Sequence, residues 1–328
     1  MEIQDQVELC FPHLLNTSCR KPTLHWSEAG VLNILLSSIS VITVALNLLV
    51  IISVSHFRQL HTPTNILLLS LAVSDFLVGL LSMPVEIFRK TTCWVFGDAL
   101  CSLCGFLTCN IVSASIGNIL LISVDRYVAI CYPLHYPTRV TVTKVKIGVC
   151  LCWVCSSFYT GFYVKDVLTE PNKTKSCYGE CVLVVDYITG SVDVVISFIV
   201  PITVIVVLYL RIFVVAVSQA RAMRFHVTAV KVQVSLTVTR KKSELKAART
   251  LGVLVVVYLI CYCPYYCYIV SEAVLSTTSG TFVAFLAYFN SCLNPVIYAL
   301  FYPWFRGAVK LIVTLQILKP GSCGASIM

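Results

Sequence analysis

Four acidic side chains stand inside or at the ends of long apolar stretches, and these are the residues best placed to do chemistry. Asp75 lies in Leu71-Ala72-Val73-Ser74-Asp75 and Asp193 in Gly190-Ser191-Val192-Asp193-Val194-Val195-Ile196. Glu86 sits three residues before Arg89, a spacing that makes an ion pair on a helix. Asp125 and Arg126 close the third apolar stretch. A charged side chain in the middle of a membrane span costs roughly 2.5–3.5 kcal/mol or more, so such residues are functional by default. The chemistry they suggest is binding and switching. No set of acids and histidines forms a proton path, and no metal-ligand spacing, nucleotide-binding glycine motif or nucleophile elbow appears, so the chain is not read as an enzyme.

The elements that hold these acids follow from composition. Of 328 residues, 58% are hydrophobic and 12% charged, against about 25% charged in soluble domains. A soluble chain of this kind would expose large apolar patches. That excludes a soluble globular, disordered or nucleic-acid-binding protein and leaves a multi-pass membrane protein. Seven apolar stretches are expected as helical spans: 30–55, 65–88, 99–130, 147–163, 188–217, 250–270 and 280–301. Residues 304–318 carry Arg306 and Lys310 among apolar side chains and read as a short amphipathic eighth helix on the membrane surface. The expected fold is an all-α seven-transmembrane helix bundle. Residues 1–29 form the outer N-terminus, 30–302 the seven-span domain, and 303–328 the amphipathic helix and inner tail. The N-terminal segment is acidic and lacks an apolar core, so no cleavable signal peptide is expected.

Charge sets the orientation. With the N-terminus outside, 17 of the 24 basic residues fall on the inner side, as the positive-inside rule requires. This cluster is expected to meet anionic lipid rather than nucleic acid. Most of the 15 acids fall outside. Of the 17 cysteines, most lie within spans and act as small apolar residues. Cys10, Cys19, Cys93, Cys101, Cys177 and Cys181 lie in outer segments or span ends, where disulfides persist. Asn16 and Asn172 open glycosylation sequons, both on the expected outer side.

Seven spans carry Asp75 in the second, Asp125-Arg126-Tyr127 ending the third, Trp153 in the fourth, Pro201 in the fifth, Pro264 in the sixth and Asn294-Pro295-Val296-Ile297-Tyr298 in the seventh. That order resembles the rhodopsin-like G-protein-coupled receptors over the whole chain. The run from Asn290-Ser291 through Asn294-Pro295, Tyr298 and Tyr302 to Trp304-Phe305 resembles the trace amine-associated receptors, as do Cys177-Tyr178-Gly179-Glu180-Cys181 and Cys10…Asn16-Thr17-Ser18-Cys19. The resemblance implies a fish-type olfactory amine receptor in the plasma membrane. It would bind a small amine and a heterotrimeric G protein of stimulatory type, raise cAMP and need no cofactor. Asp125-Arg126-Tyr127-Val128-Ala129-Ile130-Cys131-Tyr132-Pro133-Leu134 is shared with ordinary odorant receptors, whose typical sixth-span sequence is absent. An odorant or aminergic receptor for a non-amine ligand is one alternative; a small channel or transporter is another.

Most aminergic receptors carry an Asp 18 residues before the Arg of Asp-Arg-Tyr, and here that position is Thr108. Thr cannot ion-pair with an ammonium. Asp193, eight residues before Pro201, occupies a pocket-facing position in the family. An isolated carboxylate in low dielectric takes up a proton unless a cation partners it, and an alkylammonium is such a partner. Asp193 is thus read either as the counter-ion of a primary amine or as a neutral acid bonded to neighbouring helices. With Thr108 in place of an acid, a monoamine is expected, although Glu86 and Glu272 lie near the outer mouth. By resemblance, Tyr262, Tyr265, Tyr266 and Tyr288 line the pocket, where aromatic faces attract ammonium ions; plain packing is the other reading. Tyr262 stands where Trp is usual, and Tyr258 where Phe is usual.

The resemblance also implies that Asp75, with Asn47, Ser115, Asn290 and Asn294, holds an allosteric sodium ion; a hydrogen-bonded polar core is compatible with the same residues. Arg126 would pair with Asp125 at rest and move toward Tyr209 and Tyr298 on activation, a two-state population shift. Cys101–Cys181 and Cys19–Cys177 match family disulfides. Cys10 and Cys93 are left unassigned, since spacing does not determine connectivity. Cys323 is a candidate for palmitoylation.

Overall fold

The computed structural model describes residues 8–14, 17–21, 26–165, 177–182, 186–227, 235–270 and 277–324. Seven of its helices are long and apolar enough to cross a membrane. Helix α1 is Trp26–His56. Helix α2 runs through Pro63–Leu77, a π-helical turn at Val78–Ser82, and Met83–Thr91. Helix α3 is Gly97–Cys131 and α4 is Val142–Tyr163. Helix α5 comprises Tyr187–Asp193, a second π-helical turn at Val194–Ile199, and Val200–Val227. Helices α6 and α7 are Ser235–Val270 and Thr277–Phe301. The amphipathic α8 is Pro303–Val313.

Local chemistry explains where these helices begin. Thr62 caps α2 by accepting from the Asn65 backbone N–H, and Pro63 follows at the first helical position, where its missing N–H costs nothing. Thr141 caps α4 and Asp186 caps α5. The Thr189 hydroxyl and then its backbone N–H hold the Asp186 carboxyl below the usual carboxylate range.

Several boundaries differ from expectation: α4 begins at Val142 rather than 147 and α5 runs to Val227 rather than 217. Helix α6 begins at Ser235 rather than near 250; the Lys, Arg, Glu and Ala residues before the apolar stretch are good helix formers, so the helix continues beyond the membrane. Helix α8 ends at Val313 rather than 318. The Thr314 hydroxyl donates to the Lys310 carbonyl, and Leu315 turns left-handed at φ 56°. A separate 3-10 turn, Gln316–Leu318, follows.

Both π-helical turns lie just ahead of a proline, Pro84 and Pro201. Proline has no N–H to continue the ladder, and the wider turn re-aims the side chains beside it. At the first turn the freed Gly79 carbonyl accepts from the Ser40 hydroxyl at 2.6 Å. A Cβ on Gly79 would lie 3.1 Å from the Ser40 backbone oxygen and from the Thr43 side chain, so glycine permits this close approach of α1 and α2.

The core is apolar but pinned by polar bonds. Ser70 donates to the Asn118 oxygen at 2.8 Å and accepts from the Trp153 indole at 3.1 Å, joining α2, α3 and α4. Exposed Phe158, Phe162, Ile188, Phe213 and Leu300 form an apolar outer surface, which suits hydrocarbon rather than water.

The end of the bundle that meets the N-terminal segment is stapled. Cys101–Cys181 and Cys19–Cys177 are disulfide-bonded, and a third bridge joins Cys10 to Cys93. The N-terminal segment folds on itself, with Cys10 N–H donating to Cys19 O at 2.9 Å. It then pairs with the loop, as Cys19 N–H donates to Tyr178 O at 2.8 Å and Tyr178 N–H to Thr17 O at 2.7 Å. Gly179 has φ 103°, and a Cβ there would lie 2.7 Å from that of Cys10, so only glycine fits beneath the strap.

Candidate functional site

A small, partly enclosed cavity of about 100 Å³ opens between α3, α4, α5, α6 and α7. Thr108, Asp193, Tyr262, Tyr265, Tyr266 and Tyr288 all line it. The π-helical turn that starts after Asp193 sets the carboxylate at its edge. Asp193 is partly exposed, and its oxygen Oδ1 accepts two hydrogen bonds: Tyr159 OH on α4 at 2.5 Å and Ser197 Oγ at 2.7 Å. No described residue bonds to Oδ2.

Aromatic rings form most of the remaining wall. Tyr159 stacks on Tyr163 with centroids 6.2 Å apart, and Tyr265 meets Tyr266 edge-on at 5.3 Å. Tyr262 is buried between Tyr258 and Tyr266. Val112, Ile116, Ala284 and Ala287 complete the apolar floor. The cavity can hold a small cation with an apolar body: one carboxylate oxygen, π-faces and no opposing cation among its lining residues.

Tyr159, Tyr163, Ser197 and Cys109 also line the cavity and were not among the expected residues. Ser197 is legible in retrospect, four residues from Asp193 on one helix. Tyr159 is not, because it reaches Asp193 from another helix.

Glu86 lies at the outer end of α2, and Arg89 Nη2 donates to its Oε2 at 2.5 Å, the expected ion pair. Arg89 Nη1 also donates to the Cys181 carbonyl at 3.2 Å, linking this pair to the outer loop. Glu272, Asn16 and Asn172 lie outside the described residues.

Asp75 is completely buried. Asn294 Nδ2 donates to its Oδ2 at 2.7 Å and Ser115 Oγ to its Oδ1 at 3.3 Å. Asn47 does not bond to Asp75; its Nδ2 donates to the Thr43 and Ser291 carbonyls at 3.0 Å. The amide oxygens of Asn47 and Asn290 are buried without a hydrogen-bond partner among the described residues. A carboxylate and a hydroxyl are oxygen donors of the kind a hard cation such as sodium takes.

Near the C-terminal end of α3, Arg126 Nε donates to Asp125 Oδ2 at 2.9 Å. The pair is nearly closed to solvent, with Asp125 3% and Arg126 14% exposed. Two further hydroxyls enclose it. Thr64 Oγ1 donates to Asp125 Oδ2 at 2.9 Å and accepts from Arg126. Tyr136 OH donates to Asp125 Oδ1 at 2.8 Å from a helical turn, Tyr136–Arg139. Burial, and then the Asp125 charge, push the Tyr136 hydroxyl above its usual range, so it stays protonated as a donor. Neither Thr64 nor Tyr136 was expected. Tyr127 turns its ring edge-on to Tyr132 rather than into this cluster. The Tyr298 hydroxyl is buried without a described partner, and the buried Tyr209 hydroxyl has Arg126 among its electrostatic neighbours.

Seven membrane-long apolar helices surround one cavity, a fully buried acid and a closed Asp–Arg pair. The model of the rhodopsin family of seven-transmembrane receptors matches residues 46–298. The chain is 39% identical over 330 residues to trace amine-associated receptor 13c of Danio rerio, covering 97% of this chain and 95% of that one. It is also 39% identical over 333 residues to trace amine-associated receptor 6 of Homo sapiens (96% and 94% covered) and 37% identical over 347 residues to receptor 8b of Mus musculus (99% and 97% covered). The chain belongs to the trace amine-associated receptors, a group of rhodopsin-family G-protein-coupled receptors. Its relatives are receptors, not enzymes.

Proposed function

We propose that this receptor detects small primary monoamines, whose ammonium group is held by Asp193, and that it activates a stimulatory G protein to raise cAMP in an olfactory setting. The observation that carries this reading is the Asp193 carboxylate lining an aromatic cavity, with no described residue bonded to Oδ2, while Thr108 offers no charge. An ammonium there gains a charge-assisted hydrogen bond and relieves an otherwise uncompensated carboxylate. The names of the relatives support an amine as the ligand class.

In the same reading, residues 30–302 form the receptor domain in the plasma membrane, with the N-terminus outside and the basic inner surface against anionic lipid. Sodium held by Asp75, with Ser115 and the unpaired amide oxygens, favours the resting arrangement. The Asp125–Arg126 pair, closed by Thr64 and Tyr136, is the lock that releases the G-protein face. A ligand shifts this equilibrium only by its difference in affinity for the two states.

The test is a cAMP reporter assay of a panel of volatile and biogenic amines on wild type and Asp193→Asn, matched for surface expression. The expected result is loss of amine response in the variant. Retained potency contradicts the reading, and a response to uncharged odorants instead favours a non-amine ligand.

A further inference from the structure

A second cavity lies under the N-terminal strap and shares no lining residue with the Asp193 cavity. It measures about 380 Å³ and is bounded by the strap, the end of α2 and the loop 177–182. Covalent and backbone ties fix its walls. Cys10–Cys93 holds the strap to the chain just beyond α2, and Cys19–Cys177 holds it to the loop. An antiparallel bridge between Leu9 and Arg20 sets Arg20 beside Cys10. That brings it toward Lys90, three residues before Cys93. Trp94 N–H donates to the Gly179 carbonyl at 2.9 Å and draws the loop to the same end. A cavity braced in this way is formed before a ligand arrives, which lowers the ordering cost of binding.

Its wall carries more positive charge than its own acids offset. Arg20, Arg89 and Lys90 line it, with Glu180 as the one acid among the described lining residues. Arg89 is committed, donating to Glu86 at 2.5 Å and to the Cys181 carbonyl at 3.2 Å. Lys21, next to Arg20 on the strap, is committed to Glu8 at 2.7 Å. Lys90 is half-buried, with Glu86, Arg89 and Glu180 as electrostatic neighbours, and makes no hydrogen bond or ion pair with a described residue. Glu180 Oε2 lies against the Cys19–Cys177 disulfide, 3.8 and 3.6 Å from its two sulfurs. With the Arg89–Glu86 pair neutral, Arg20 and Lys90 face this one acid, an excess of one positive charge. A partly desolvated ammonium gains most from a charged acceptor. The rest of the wall suits a small apolar body, because Val182 and the bridged sulfurs are apolar while Thr92 adds one hydroxyl.

We propose that this cavity binds a short-chain monocarboxylate, its carboxylate between Lys90 and Arg20 and its alkyl body against Val182 and the disulfides. One negative charge matches the excess, and the site goes beyond the amine reading without depending on Asp193.

The test is the melting midpoint of the purified full-length receptor in detergent, at constant pH and sodium, with about 10 mM n-butyrate, chloride or uncharged n-butyramide. Butyrate is expected to raise the midpoint by about 2–4 °C over chloride, as a ligand at roughly ten times its dissociation constant does. Butyramide, with the same body and no charge, is expected to give no rise. Lys90→Gln and Arg20→Gln are each expected to lose most of the butyrate shift, and Lys90→Arg to keep it. If Lys90→Gln does not fold, Arg20→Gln makes the same comparison from an exposed position on the strap. No shift with butyrate in wild type overturns the proposal. So does an equal shift with butyramide, or a butyrate shift that persists in the Gln variants, which is a general salt effect.

Discussion

Asp75 and Asp193 are the same residue in comparably apolar helices, yet the bundle treats them in opposite ways. Asp75 is wholly buried, and the chain supplies donors to both of its oxygens, Ser115 from α3 to one and Asn294 from α7 to the other. Asp193 is partly exposed to a cavity, and both of its donors fall on a single oxygen. The first carboxylate ties α3 and α7 to α2. Among the described residues the second is bonded at one oxygen only, and a partly desolvated charge that is half satisfied favours an outside partner. If Asp75 is a switch and Asp193 the amine site, as proposed, what separates the two is the distribution of donors over two oxygens.

Neutralising each acid in turn breaks the comparison most sharply. Asp193→Asn is expected to lower amine potency by about 100-fold or more, the effect of removing one partner of a desolvated, hydrogen-bonded ion pair. Asp75→Asn is expected to leave amine potency within about 10-fold while abolishing any dependence of binding on sodium, since the lost charge is not at the ligand. Equal losses of amine potency in the two variants would mean that the two acids do one job.

Adding an acid sharpens it further. Thr108→Asp places a second carboxylate on the same cavity wall and is expected to confer a response to short diamines, read as a new dose–response curve. No diamine response would indicate that the Thr108 side of the cavity is closed to a second ammonium. A smaller effect is expected from Asn294→Ala, which strips Asp75 of its shortest hydrogen bond, 2.7 Å. It should lower thermal stability in detergent by about 1–3 kcal/mol, the cost of an unsatisfied buried group. The smallest effect is expected at the inner lock. Asp125→Asn should raise basal cAMP. Tyr136→Phe, which removes one 2.8 Å hydrogen bond to Asp125, should raise it less, by a few-fold for about 1 kcal/mol.

The seven spans and the acids within them were legible because charge is scarce: a lone Asp among Val and Ile stands out, and long apolar stretches admit one structure in a bilayer. The pairing of Glu86 with Arg89 followed from helical spacing. Contacts between helices were less visible. Tyr159 meets Asp193 across 34 residues of sequence, and nothing in the local pattern of α4 distinguishes it from Phe158 or Phe162, which face outward. The same holds for Thr64 and Tyr136 around Asp125. Asn47, Ser115, Asn290 and Asn294 looked alike as polar neighbours of Asp75, but only Ser115 and Asn294 bond to it directly among the four. The Cys10–Cys93 bridge was not deducible, because which of several outer cysteines pair depends on where the N-terminal strap lands. The short α8 turned on one left-handed residue, Leu315, which carries no sequence mark of that conformation.

The most direct test of the central claim is equilibrium binding of a radiolabelled amine agonist to membranes carrying wild type or Asp193→Asn, with surface-matched receptor and constant sodium. If Asp193 is the amine counter-ion, affinity falls by about 100-fold or more in the variant. An affinity unchanged by Asp193→Asn would contradict the account and show that the carboxylate serves the helices around it instead.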